Sequence, residues 1–274
     1  MEKRSGGEGN LKIEENVDSK TEKAIYVYCI AAGNAEADFG NMGLENNYVY
    51  SVSYKDLSAV IHSCMIEPYK SEDKEIVKAW ATAHEKVVEA ALEQFGTVLP
   101  LGFDTIIKGE SGVTPEDNLI NWIKDDYENL KQKIARIENK AEYGVQISWD
   151  PKVIGEKLIE DNAEINRLNE EIKSKSKGLA YMYRQKLENL LKKEIEITSE
   201  KYFKDFYEKI KNCVDDIKIE KTKKVENDRQ MLLNLSCLLP KEKSRLLGDE
   251  LEKINSIEGF FVRYTGPWPP YSFV

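Results

Sequence analysis

The chain has 274 residues, of which 41% are hydrophobic and 32% charged, and a formal net charge of −9 at pH 7. That much apolar material builds one large domain or two ordinary ones and excludes a disordered chain. The acidic balance argues against general nucleic-acid binding through phosphate neutralisation. No run approaches the ~20 apolar residues needed to span a bilayer. With no apolar signal core near its start, the sequence predicts a soluble cytoplasmic protein with neither nucleic acid nor membrane as partner.

Residues 1–23 are polar, with Gly6-Gly7 and mixed charges, and read as a disordered extension. Ala24 to Ile30 is apolar almost without interruption, as suits a strand buried on both faces. A Gly/Asn-rich loop (31–47) leads to strands at Tyr48–Ser53 and Leu57–His62, joined tightly through Tyr54-Lys55-Asp56. Residues 72–95 read as a helix whose apolar face carries Ile76, Trp80, His84, Val87 and Ala91, with Gly96 as its stop. Thr97 to Ile107 reads as one strand interrupted at Pro100 and Gly102, which implies an edge or a bulge. Thr114-Pro115-Glu116-Asp117 is a helix start, followed by a stripe of Leu119, Ile123, Tyr127, Leu130, Ile134 and Ile137. Residues 24–141 thus form a mixed α+β unit of three or four strands and two helices.

From Tyr143 the order changes. Val145, Ile147 and Trp149 alternate with Gln146 and Ser148, a half-buried strand, and Asp150-Pro151 caps a helix. A straight helix from there to Asn212 would reach ~90 Å. Lys173–Gly178 is the natural break, giving two helices folded into a hairpin, lined by Ile154, Leu158, Ile165, Leu168 and Ile172 on one side and Leu179, Tyr183, Leu187, Leu190 and Ile195 on the other. A third helical piece, 200–211, carries Phe203, Phe206 and Ile210. Strands follow at 214–220 and 231–237, then a helix opened by Pro240 with Leu247, Leu251 and Ile254, then a strand with Phe260, Val262 and Tyr264. The order β-α-β-β-α-β is that of a ferredoxin-like domain, here spanning 142–265 with a helical insertion at about 151–212.

Gly266-Pro267 is expected to stop the last strand. The tail beyond it, 266–274, holds Pro267, Trp268, Pro269, Pro270, Tyr271 and Phe273 on a stiff backbone. Two readings compete: the rings lock the domains together by packing back on the chain, or they bind a partner. The position of the tail after the last strand favours a strap that buries Trp268 and Tyr271, with partner binding second.

Chemistry is sparse. His62 and His84 lack metal-ligand spacing, and His84 lies on an apolar helix face. Glu85 and Glu89 are like charges on a solvated helix side. Cys29, Cys64, Cys213 and Cys237 are far apart and read as buried free thiols. No phosphate-binding glycine loop is present. The residues predict no catalytic group, no metal and no cofactor, hence no enzyme. An enzyme with an interdomain pocket and a ferredoxin-like regulatory or oligomerisation module remain as alternatives.

Four stretches carry a family resemblance: Ala24–Ile30, His84–Glu89, Val98–Thr105 and above all Gly266–Phe273. Together they resemble the gas vesicle protein F/L (GvpF/GvpL) family over nearly the whole chain. The resemblance implies a two-domain α+β protein with a helix-extended ferredoxin-like C-terminal domain. It also implies a non-enzymatic accessory protein, located with the gas vesicle, that contacts the hydrophobic major shell protein and other gas vesicle accessory proteins. The family commonly has arginine where Gly102 stands and glycine where Asp104 stands.

Overall fold

The computed structural model describes residues 23–110, 112–226 and 228–274. The expected N-terminal extension therefore lies outside the described residues except for Lys23, which opens the first strand. Among the described residues the architecture is a mixed α/β fold of two antiparallel sheets and seven α-helices.

The first sheet holds β1 (Lys23–Ala32), β2 (Asp38–Gly40), β3 (Val49–Tyr54), β4 (Leu57–Met65), β5 (Val98–Pro100) and β6 (Ile106–Lys108). Its order is β2-β3-β4-β1-β5, with β6 also on β1. β1 is central and buried from Ala24 to Ala31, as its unbroken apolar run requires. β5 and β6 are one edge strand broken by the loop 101–105. The amide of Leu101 donates to Tyr28 O and that of Val27 to Thr105 O, each at 2.9 Å, so pairing resumes on both sides of the interruption. On one face Tyr26, Tyr28, Val49 and Val60 pack against Val87, Val88 and Ala91 of helix α1 (Lys74–Phe95). On the other, Ile25, Val27, Leu57 and Ile61 pack against α2 (Pro115–Asp125) and α3 (Tyr127–Ile137).

Four expectations in this half need correction. The loop 31–47 contains the short strand β2. The helical stripe from Leu119 to Ile137 is broken at Asp126, whose backbone (φ −101°, ψ 12°) lets α3 turn along the sheet. Ile76 is exposed, because only the later turns of α1, from His84 on, lie over β1. The strand expected to end at His62 continues to Met65.

The second sheet has the order β10-β7-β9-β8. It is built from β7 (Lys140–Trp149), β8 (Asp216–Ile219), β9 (Gln230–Pro240) and β10 (Phe260–Trp268). Between β7 and β8 run α4 (Pro151–Asp161), α5 (Ala163–Ser174) and α6 (Lys177–Lys211), and α7 (Ser244–Asn255) joins β9 to β10. Ala141, Tyr143, Val145, Ile147 and Trp149 alternate into a core with Phe206 and Ile210 of α6 and Leu247, Leu251 and Ile254 of α7. Phe260 closes that core. The hairpin of α5 and α6 has its own small cluster of Ile165, Leu168 and Leu187.

Here too the periodicity misplaced details. Residues 200–211 are no separate piece: α6 runs unbroken for 35 residues, since Thr198-Ser199 offers neither proline nor glycine to stop it. The unexpected break is at Asn162, whose side chain accepts from the amides of Glu164 and Ile165 and so starts a new helix. Leu179, assigned to the hairpin seam, is exposed. Pro240 ends β9, and α7 begins only at Ser244 after a 3-10 turn. β9 is buried on both faces, because its far side, through Leu238, joins the core of the first sheet. Finally, Gly266-Pro267 does not stop β10, which resumes pairing at Trp268 opposite Glu142 after an irregularity at Thr265.

Candidate functional site

Two polar constellations stand out, and they meet at the C-terminal tail. The first is a buried tyrosine–histidine cluster on the α1 face of the first sheet. Strand alternation places Tyr26 and Tyr28 on that face together with His62 from β4, and the helix period brings His84 down onto them. Tyr26 Oη lies 2.8 Å from His84 Nδ1, and Tyr28 Oη 2.8 Å from His62 Nδ1. Tyr26 accepts the amide of Asp104, and Tyr28 accepts that of Leu44, each at 3.0 Å. Each phenol hydrogen is then free to donate to its histidine Nδ1. His62 Nε2 lies 3.0 Å from Tyr69 Oη.

Burial pushes both imidazoles down to about 4, so the rings are neutral. Burial pushes the phenols of Tyr26 and Tyr28 upward, so they keep their protons. The cluster is a set of fixed neutral hydrogen bonds with no charged nucleophile–base pair in it. His84 Nε2 is buried without a partner among the described residues, and so is Tyr271 Oη, whose ring lies 6.2 Å from that of His84.

The cluster also explains the loop 101–105. Asp104 sits at φ +67°, the left-handed region that favours glycine, and its carboxylate accepts the Tyr69 amide at 3.0 Å. Aspartate is among the few residues with a β-carbon that tolerate this backbone. Gly102 faces open space.

The second constellation is the tail. Trp268 is 44% exposed, whereas Pro269 and Pro270 are buried and Phe273 is only 2% exposed. The expected strap is met by Tyr271, which packs back on the chain, but not by Trp268, which stands on a strand edge; Phe273 is the buried anchor. Phe273 joins Leu238 in the α2/α3-side core of the first sheet, while Tyr271 packs on the α1-side core. Between them, Ser272 is tied to the second sheet. Its amide and hydroxyl donate to the Glu142 carboxylate at 2.8 and 2.6 Å, and its hydroxyl meets that of Ser236 at 3.0 Å. Lys218 donates to its carbonyl and lies over the Phe273 ring. Sequence reading singled out none of Glu142, Ser236, Lys218 and Ser272. The usable signal was parity: Glu142 precedes Tyr143 in an alternating strand, so it must face away from the helices.

The cysteines are free. Cys29 and Cys237 are buried and Cys64 and Cys213 half-buried, and burial pushes the Cys64 and Cys237 thiols to about 11 and 12. The described residues contain no group of three or more His, Cys, Asp or Glu set to hold a metal ion. No helix among them is long and apolar enough to cross a membrane.

The sequence profile of the family described as "Gas vesicle synthesis protein GvpL/GvpF" matches residues 24–274. The chain belongs to the GvpL/GvpF family. Gas vesicle protein L1 of Halobacterium salinarum is 27% identical over 95% of this chain and 95% of its own length. Gas vesicle protein F of Microcystis aeruginosa is 23% identical over 91% and 97%. Among solved structures, GvpF from Anabaena sp. PCC7120 has the same fold, with a TM-score of 0.71 at 20% identity over 92% of this chain and 98% of that one. GvpF from Microcystis aeruginosa gives 0.62 at 21% identity over 91% and 98%. The GvpL/GvpF match reaches Val274 and so includes both the Tyr/His cluster and the tail.

Proposed function

We propose that this protein is an accessory protein of gas vesicle assembly that acts by binding, not by catalysis, and that it engages the hydrophobic shell subunit and other gas vesicle proteins while the vesicle forms. Membership of the GvpL/GvpF family along residues 24–274 carries this reading. We read the chain as two domains, 24–141 and 142–265. The order β10-β7-β9-β8 supports a ferredoxin-like second domain whose first crossover is enlarged by α5 and α6. Residues 266–274 divide their labour: Pro269, Pro270, Tyr271 and Phe273 lock the domains, and Trp268 with Pro267 contacts the partner.

Exposure supports that division. Trp268 and Tyr264 are exposed on β10, an edge strand, where an apolar partner gains both aromatic surface and unpaired backbone groups. Co-purification with the shell subunit tests this. The wild-type chain retains the subunit and Trp268→Ala loses most of it at an unchanged melting temperature. Absence of binding by the wild type, with its fold verified by circular dichroism, would sink the reading.

A further inference from the structure

The face of the second sheet turned away from its own helices meets the first sheet through Leu238, and away from that contact it carries a cationic groove of about 540 Å³. Its floor is Gln146 and Ser148 of β7, which alternation turns away from the helical core. Its walls are Lys223 and Lys224 from the loop before β9, Arg229 at the end of that loop, and Arg263 of β10. None of these four cations has a carboxylate partner within ion-pair distance among the described residues. One carboxylate, Glu226, shares the lining. In a chain of net charge −9, such a concentration of unpaired positive charge marks a local exception to the prevailing field.

We infer that this groove docks an extended acidic polypeptide segment of a partner protein, with an apolar residue among its carboxylates. Three features select that occupant. The Arg229 guanidinium carbon lies over the Phe261 ring, 3.3 Å from its centroid, which holds in the groove a cation able to bind a carboxylate through two N–H groups. The same stacking occupies the Phe261 face, so no open aromatic platform is left for a nucleic-acid base. Half-buried Met231 and Val225 add an apolar patch between the cations, and Gln146 and Ser148 supply hydrogen bonds for a peptide backbone. The site is separate from Trp268 and does not depend on the proposed contact with the shell subunit.

Fluorescence anisotropy with the full chain tests this, using a labelled ten-residue Glu-rich peptide with a central leucine. Binding is expected to weaken at least tenfold in Arg263→Glu and in Lys223→Glu/Lys224→Glu, and to weaken as salt rises. Lys186→Glu, on the exposed surface of α6, and Trp268→Ala are expected to leave it unchanged. All the charge changes fall on exposed side chains, so melting temperatures verify that each variant is folded. No binding at low salt, equal binding by the groove variants, or tighter binding of a single-stranded RNA of the same length would each overturn the assignment.

Discussion

Glu142 and Ser272, 130 residues apart, are joined by two hydrogen bonds to a single carboxylate. Glu142 lies on the face of β7 turned away from the helices, and Ser272 lies between two aromatic residues that enter opposite cores of the first sheet. The pair therefore couples the two sheets. Glu142→Ala leaves the Ser272 amide without its acceptor in a part-buried seam and its hydroxyl with Ser236 alone, at a cost of about 1–3 kcal/mol. For a chain of this size that lowers the melting temperature by roughly 2–4 °C per kcal/mol. An unchanged melting curve would show that the seam is held by packing alone.

Phe273 and Trp268 are expected to separate stability from binding. Phe273 is buried, so Phe273→Ala costs about 3–5 kcal/mol in denaturant unfolding. Trp268 is nearly half exposed, so Trp268→Ala costs less than about 1 kcal/mol. The reverse ranking in urea titrations would show that Trp268 is a core anchor in solution.

Asp104 combines a left-handed backbone with a hydrogen bond to the Tyr69 amide. Asp104→Gly relieves the first and loses the second, so its net effect is expected within about 1 kcal/mol of zero. Asp104→Val loses the bond and adds a β-branched side chain at positive φ, so it destabilises by about 2 kcal/mol or more. Equal stability of the glycine and valine variants would contradict the backbone argument.

The two histidines set an acid limit. In the unfolded chain an imidazole takes its proton near pH 6.5. In the folded protein burial delays this to about pH 4 for His62 and His84. Between these values the unfolded state binds more protons, so stability is full above pH 6.5 and falls as the pH drops toward 4. The full effect is about 3 kcal/mol for each ring. Glu85, whose carboxyl is raised by burial and by Glu89, opposes this slope. Urea midpoints measured from pH 7.5 to 4.5 are expected to fall in the wild type and to flatten in His62→Gln/His84→Gln.

Where one physical signal decided an element, the sequence was legible. The apolar run at Ala24–Ile30, the Thr114-Pro115 and Asp150-Pro151 starts, the Lys173–Gly178 break and the alternation in β7 all translate into the observed elements. The same signals failed where tertiary contact overrode them. Gly266-Pro267 reads as a stop, but β10 recovers its register beyond it because Glu142 is still available as a partner. Trp268 reads as an anchor by size, but it stands at the far end of β10 from the core that Phe260 enters and stays 44% exposed. The Tyr/His cluster joins residues 26, 28, 62, 69, 84 and 104, and no local pattern announces contacts made by sheet pairing and helix docking.

The insertion of α4, α5 and α6 between β7 and β8 also sets a timetable. β7 ends at Trp149, and its ladder partner β9 begins at Gln230. At ~5–20 residues per second, synthesis of the intervening ~80 residues takes roughly 4–16 s. Helices form in microseconds, so the nascent chain carries a finished helical arm beside a strand with an apolar face and two open edges. The length of the arm fixes how long that strand waits. Halving it would shorten the wait by roughly 40%, while loop closure changes by less than about 0.6 kcal/mol.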